Sequence, residues 1–401
     1  MTSQTQRLNV VDCLRGFAIV SIMLLHNIEH FDLYYTVPGL PAWLSALDKV
    51  IWDTAFFLFG GKSYAIFALL FGLTFFIQFN SRAQRGEDFR PRFAWRMLLL
   101  LCFGLVNTMF YHGDVLSFYA VLGICLIPVA RLSNRAVCAI AMLLMLQPVE
   151  WGRLLAALPH GADKLGDPAS WAYFGRANEY LMHGSATQVW WGNLTNGKTG
   201  ALMWSWEAGR IFQIMALFMF GMLAGRKRVF IDTPASTQFW RRVLVIAALC
   251  FVPLYISKTW LVGMIAGDTV RRALETIVSS WSNLSVMLVL VSSFVLLFST
   301  ERWARLLRVF APLGRMSLTS YVVQSIVGST IYYGYGLGMY QRTGVTVCLL
   351  IGIVLATLQG LASAWWLRHH AQGPLEALWH RATWWGQRAP APSSAAGSSP
   401  V

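Results

Sequence analysis

The chemistry-bearing residues of this chain cluster first in the run NVVDCLRGFAIVSIMLLHNIEHF. Asp12 and Arg15 are three apart, so on a helix they share a face and neutralise each other. His26 follows Arg15 by 11 residues, three helical turns plus about 20°, which returns it to the same face about 16 Å further along. If the helix continues, His30 falls on that face too, at i+4 from His26. Asn27 and Glu29 add polar groups. An imidazole suits removal of a proton from a hydroxyl or amine nucleophile, because it titrates near neutrality. The plainer reading of Asp12 and Arg15 is a pair that anchors the helix at a membrane surface.

A second cluster is YHGDVLSFYA. His112 and Asp114 flank Gly113 at a turn, where the carboxylate can orient an imidazole. Asp114 is equally well placed to cap the helix starting at VLSFYA. In WSWEAGRIFQIM, Glu207 and Arg210 are three apart and can pair. Lys62 and Ser63 open another apolar run. GRMSLTSYVVQS holds Arg315, Ser317, Thr319, Ser320 and Gln324. Small polar residues there can join helices, and Arg315 is placed to meet a phosphate. The sequence has no P-loop, HExxH or GxSxG, so ATP hydrolysis, zinc proteolysis and serine-hydrolase chemistry lack support.

These residues must be held by membrane helices. The 401-residue chain is 56% hydrophobic and 12% charged, about half the charge of an ordinary globular protein. Its net charge of +14 reads as the basic bias of cytoplasmic membrane loops rather than as a nucleic-acid surface. The six cysteines lie in apolar runs without a CxxC pair, so neither zinc nor a disulfide framework is indicated. No metal ligand set and no permanently bound cofactor is expected. The first apolar run contains Asp12 and Arg15 and lacks a small-residue cleavage site, so it reads as a retained span rather than a signal peptide.

Ten spans of about 20 residues are expected at 9–28, 63–79, 93–111, 115–131, 135–157, 203–225, 242–262, 278–299, 316–334 and 344–367. The apolar stretch 50–60 is an interfacial or re-entrant piece before the second. With the N-terminus inside, 20 Lys and Arg fall on the cytoplasmic side and 10 outside, as positive-inside orientation requires. The fold class is therefore all-α, a polytopic transmembrane bundle over 1–385 with both termini cytoplasmic. Residues 158–202 form a long outer loop whose Trp and Tyr make an interfacial belt or stack on a sugar. Residues 386–401 are a disordered tail. No repeat of 20–50 residues is visible.

In order along the chain, RLNVVDCLRGFAIVSIMLLHNI, GKSYAIFALLFGLTF, FAWRMLLLLCFGLVN, YHGDVLSFYAVLG, FMFGMLAGR, GRMSLTSYVVQS and GPLEALWHR resemble the YeiB-like bacterial membrane proteins of unknown function. At the first span that family is similar to two acyltransferase types. One is the heparan-α-glucosaminide N-acetyltransferase type; the other is the bacterial O-acyltransferase type that decorates surface polysaccharides. Both have an Asp and Arg opening and a polar residue 11 places on, here Asp12, Arg15 and His26. The O-acyltransferases carry His there, while the YeiB-like and heparan types more often carry Asn. The heparan type has its catalytic His further along, where His30 is the nearest candidate. Ser320 departs from the family's Asn.

The resemblance implies acyl transfer from cytoplasmic acyl-CoA to an extracytoplasmic acceptor, a sugar, lipid-linked or small-molecule hydroxyl or amine. Arg15 and Arg315 would hold the CoA phosphates, while His26 and His30, with His112 and Asp114, would activate the acceptor. Asp12, Asn27, Lys62, Glu207, Arg210 and Gln324 would complete the polar path. The expected setting is the bacterial cytoplasmic (inner) membrane, with the bilayer as partner, no nucleic acid, and room for a homo-oligomer. The same intramembrane charges suit a transporter or exporter of a small molecule or lipid precursor, and a structural or sensory component is the third reading.

Overall fold

A computed structural model describes residues 9–160 and 163–385. The expected tail at 386–401, with Arg388, and the N-terminal Arg7 lie outside the described residues. Among the described residues the regular structure is entirely helical.

The central element is α1 (Asn9–Ile28). It is mostly buried, whereas the outer helices α13 (Pro234–Ile256) and α18 (Val345–His369) bury few of their residues. A helix with so much apolar surface belongs in an interior or in lipid; α1, whose Asp12, Arg15 and His26 are held within the bundle, takes the first place and α13 and α18 the second. Val245, Ile246, Leu249 and Val252 on α13 are all exposed, an apolar surface that lipid can cover and water cannot.

Next come α2 (Ala42–Leu58) and α3 (Ser63–Ala83), joined through the left-handed Gly61. The stretch 50–60 is thus the end of a helix running into the expected second span, and the two form one apolar unit. They are followed by α4 (Arg90–Phe110), α5 (Leu116–Gly123), α6 (Leu126–Val129), α7 (Asn134–Met145) and α8 (Pro148–Ala157). The expected outer loop 158–202 is largely helical, comprising α9 (Ala169–His183), α10 (Ala186–Gly192) and the start of α11 (Lys198–Glu207). Its aromatics fold inward as well as outward: Trp190 packs edge-on against Phe110, and Phe174 tilts against His112. After α11 come α12 (Arg210–Arg226), α13 and α14 (Asp268–Phe298), the longest helix at 31 residues. The short α15 (Glu301–Leu307) and α16 (Ala311–Arg315), then α17 (Ser317–Tyr332), α18 and α19 (Pro374–Thr383), complete the chain.

Among the described residues, six helical units are long and apolar enough to cross a membrane, or up to eight if each of two bent pairs is one span. The pairs are α7 with α8, bent by 44°, and the α10–α11 rod with α12, bent by 73°. Gln147 and Gly209, both left-handed, occupy the breaks. Gln147 Nε2 donates to the Gly209 carbonyl at 2.8 Å and to Ser280 Oγ at 2.9 Å, tying the two bends together. The expected spans at 115–131 and 316–334 are shorter than a full crossing: the first is divided between α5 and α6, the second is the 16-residue α17.

Two crossings bring backbones into contact. A Cβ on Gly16 would sit 1.9 Å from the Phe310 carbonyl oxygen, and one on Gly314 would sit 1.8 Å from that of Asp12. Between α3 and α12, Gly72 and Gly221 would each meet a carbonyl oxygen at 1.8 Å, of Phe218 and Leu69. Small residues at such points are how membrane helices gain close packing.

Two helix starts are capped by carboxylates distant in sequence. Asp48 accepts from the amides of Val345 (3.1 Å) and Thr346 (2.8 Å) at the start of α18. Glu376 accepts from the amides of Leu318 (2.7 Å) and Thr319 (3.1 Å) at the start of α17. These orphan helix donors need partners. Asp48→Ala and Glu376→Ala are each expected to lower stability by about 1–3 kcal/mol, read as a fall in detergent melting temperature; isosteric Asp48→Asn should retain part of the loss.

Candidate functional site

The end of α1 builds the site. After Ile28 the chain abandons the helix, and His30, Phe31 and Asp32 take three consecutive left-handed conformations (φ 49°, 56° and 63°). Each costs about 1–2 kcal/mol for a side chain with a Cβ, so the surroundings must hold the turn. The Phe31 amide donates to the His26 carbonyl at 2.8 Å, and Tyr333 Oη donates to the Phe31 carbonyl at 2.7 Å. The Phe31 ring fills the place a side chain on Gly328 would need. This turn folds Asp32 back towards Glu29 and His26, whose ligating atoms all lie within 4.8 Å of one another.

His26 Nδ1 lies 3.3 Å from Glu29 Oε2 and 3.1 Å from Tyr111 Oη. His112 is fully buried, with Nε2 3.7 Å from Asp32 Oδ2. All of these line one cavity of about 550 Å³. Lys62, Arg210 and Lys258 also line it, as do Tyr34, Tyr64, Trp204, Ser282, Asn283 and Tyr321. The Arg210 guanidinium stacks over Trp204 (3.7 Å to the ring centre) and Tyr64 (4.6 Å). Lys62 Nζ donates to the Phe56 carbonyl at 3.3 Å. Burial raises the Glu29 carboxyl above its ordinary value, opposed by its hydrogen bond to His26.

Five of the sequence candidates therefore meet: His26, His112, Asp114, Lys62 and Arg210. Asp114, however, caps α5. It accepts from the Ser117 amide (2.9 Å) and hydroxyl (2.8 Å) and from Asn107 Nδ2 (2.9 Å), with Lys198 3.7 Å away. Its carboxylate is committed to the helix start, and the carboxylate beside His112 is Asp32. His30 does not line the cavity. The left-handed turn swings it away, and its Nε2 lies 2.8 Å from the Thr343 carbonyl oxygen. Asn27 also faces inward, donating to the Met23 carbonyl and accepting from Tyr332 Oη.

The other candidates stand apart. Arg15 pairs with Asp12 at 3.2 Å and donates to Thr74 Oγ1 at 3.0 Å, at the opposite end of α1. Arg315 follows Gly314, whose backbone rests on the Asp12 carbonyl, so both proposed phosphate-binding arginines belong to that end. Glu207 accepts from Ser170 Oγ at 2.6 Å rather than pairing with Arg210. Gln324 is buried in α17 away from the cavity. Asp32 and Tyr111, which complete the site, were not singled out in the sequence. Asp32 carries a weak signal, three residues beyond Glu29, but only the left-handed turn brings it back.

Burial pushes both His30 and His112 below the ordinary imidazole value; the Thr343 carbonyl and the Asp32 charge respectively oppose it. The unfolded chain protonates its histidines near pH 6.5. Below that value the unfolded state binds more protons than the folded one. The stabilisation is therefore complete above about pH 6.5 and is lost as the pH falls towards the folded values. The melting temperature should drop on acidification from pH 7.5 to 5.5, with a shallower slope in His30→Gln.

The fold and cavity define a multi-pass helical membrane protein with a charged, aromatic cavity at one end of its central helix. Compared with known proteins, the chain is similar to uncharacterized bacterial proteins along nearly its whole length. It is 27% identical to the uncharacterized protein YeiB of Escherichia coli (strain K12), covering 93% of this chain and 95% of that one. It is 26% identical to the uncharacterized protein YxaH of Bacillus subtilis (strain 168), covering 96% of each. Residues 224–386 match a family model described as a protein of unknown function, DUF418.

Proposed function

We propose that this protein is a membrane acyltransferase of the bacterial cytoplasmic membrane, with both termini inside. It moves an acyl group from cytoplasmic acyl-CoA to a hydroxyl or amine of an extracytoplasmic sugar, lipid-linked or small-molecule acceptor. The observation that carries this reading is the His26–Glu29 pair in the wall of a 550 Å³ cavity that also holds Lys62 and Arg210.

In this reading Glu29 accepts from His26 Nδ1–H and holds the tautomer whose Nε2 is a base. The acceptor oxygen or nitrogen attacks the thioester carbonyl as Nε2 takes its proton. The tetrahedral intermediate expels the CoA thiolate, which receives that proton from the imidazolium. Lys62 and Arg210 supply positive charge towards the oxyanion. The cavity's aromatic rings suit a sugar ring. Arg15 and Arg315 stand at the other end of α1, about 16 Å away along its axis, a distance for the donor's flexible arm to span while its phosphates stay inside.

The test is purified protein in detergent with radiolabelled acetyl-CoA, followed by chromatography for free CoA and labelled acceptor from a membrane extract. Acyl-CoA-dependent label transfer supports the reading. Solute flux across proteoliposomes without acyl-CoA, unchanged in His26→Ala, would replace it with transport.

A further inference from the structure

The sequence offered no metal ligand pattern, yet the left-handed turn assembles one. We propose that His26, Glu29 and Asp32 form a binding site for a divalent metal ion of the Zn²⁺ or Mn²⁺ class, with His112 behind Asp32 to orient it. This goes beyond acyl transfer and does not depend on it.

The donor set is one imidazole and two carboxylates, with all three ligating atoms within 4.8 Å of one another. Metal bonds of about 2.0–2.2 Å at tetrahedral angles put ligand atoms about 3.3–3.6 Å apart. His26 Nδ1 and Glu29 Oε2 already stand at 3.3 Å. Mixed nitrogen and carboxylate donors without sulfur favour Zn²⁺ and Mn²⁺ over soft metals.

The charge balance points the same way. Two carboxylates share a buried corner, and Glu29 and Asp32 are only 8% and partly exposed. Among the described residues, their ion-pair partners are imidazoles only: His26 for Glu29 and His112 for Asp32. Neither nearby cation forms an ion pair with these carboxylates: Lys62 sits on the Phe56 carbonyl, and Arg210, stacked on two rings, acts on Glu29 only through space. Adjacent carboxylates need a proton or a cation between them, and a divalent ion meets that need.

His112 supplies an independent sign. Its side chain is 1% exposed, and neither ring nitrogen is in good hydrogen-bond geometry, Asn193 and Asp32 being the polar side chains beside it. A buried imidazole so poorly satisfied is costly. With Nε2 3.7 Å from Asp32 Oδ2, it sits where an outer partner of a metal-bound carboxylate belongs, and a small closure of Asp32 on a metal would leave His112 its natural acceptor. A metal on His26 Nδ1 leaves the ring proton on Nε2. The loaded site and the proton-accepting form of His26 therefore exclude each other, and metal occupancy would hold the base out of use.

The experiment uses full-length, tag-free protein in detergent, stripped with EDTA and dialysed against Zn²⁺ or Co²⁺. Expected are one metal per chain, visible Co²⁺ ligand-field bands, and affinity at least 10-fold weaker in Glu29→Gln and Asp32→Asn. His112→Asn should weaken binding about 10- to 100-fold, while His30→Gln leaves it unchanged. No bound metal in monodisperse wild-type protein would overturn the proposal, as would affinity unchanged in the Glu29→Gln/Asp32→Asn double variant. Should the variants fail to fold, X-ray absorption of the wild-type Zn²⁺ form decides. One imidazole among oxygen ligands supports the site; sulfur or several imidazoles refute it. Metal binding in a protein without acyl transfer would sink only the functional reading.

Discussion

Replacing His26 by alanine is expected to lower acyl transfer about 100- to 10,000-fold, the range a positioned general base contributes. The loss should appear in kcat and exceed any fall in melting temperature, which is expected because the variant leaves Glu29 and Tyr111 without their His26 partner. His30→Ala is the informative partner. Its imidazole is turned onto the Thr343 carbonyl, outside the cavity, so its variant should lose stability while retaining transfer to within a few-fold. A reversed pattern, with His30 essential and His26 dispensable, would mean that the first-span chemistry has been assigned to the wrong imidazole. Glu29→Gln should fall between, since it keeps the shape but loses the charge that steadies the imidazolium.

The second large effect is structural. Gly314→Ala is expected to destabilise the protein by about 3 kcal/mol or more, at the upper end of overpacking. The new Cβ meets the carbonyl oxygen of Asp12 and the amide nitrogen of Gly16, both backbone atoms that cannot rotate aside. Gly72→Ala should behave likewise against Phe218. Gly152→Ala and Gly175→Ala, also helical but facing open space, should be neutral or stabilising by about 0.5–1 kcal/mol. Melting followed by fluorescence-detected gel filtration compares all four. Equal behaviour would show that the two crossings can relax.

The first span was the most legible part of the molecule. Its unbroken apolar run and its two polar ends are local properties, and α1 begins and ends close to where the sequence places it. His26 was found for the same reason. His30 was placed on the same face by extending helical periodicity past Ile28. Three left-handed residues defeat that extension, and neither Phe31 nor Asp32 announces such a conformation. The lock on the turn is tertiary, a Tyr333 hydroxyl and the gap at Gly328. Asp114 shows the opposite case. Its capping role rests on residues three positions ahead, so local reading was sufficient. The helices of the 158–202 segment were not legible in the sequence, because they are rich in Trp, Tyr, Asn and Gly and lack the apolar run of a span. The span count suffers from Gly123, Pro128, Gln147 and Gly209, which divide or bend helices that hydropathy reads as continuous.

The length of α14 bears on how deep the cavity would lie in a bilayer. Thirty-one residues make a rod about 46 Å long, against a hydrocarbon layer of about 30 Å. Absorbing the excess by tilt alone would need roughly 50°, beyond the range of about 0–40° that membrane helices adopt. Part of the rod therefore stands in the headgroup layer. That part is its first turns, which carry Asp268, Arg271, Arg272 and Glu275, since the run from Thr276 to Phe298 holds no charged residue. Ser282 and Asn283 line the cavity and lie about 23 Å along the axis from Phe298, so with that end at one boundary of a hydrocarbon layer of about 30 Å they would fall within it. A substrate carried on a lipid would reach that depth by diffusing in the plane of the leaflet. Its encounter rate would then follow surface density in the membrane, and a water-soluble analogue of the same head group would be the poorer substrate.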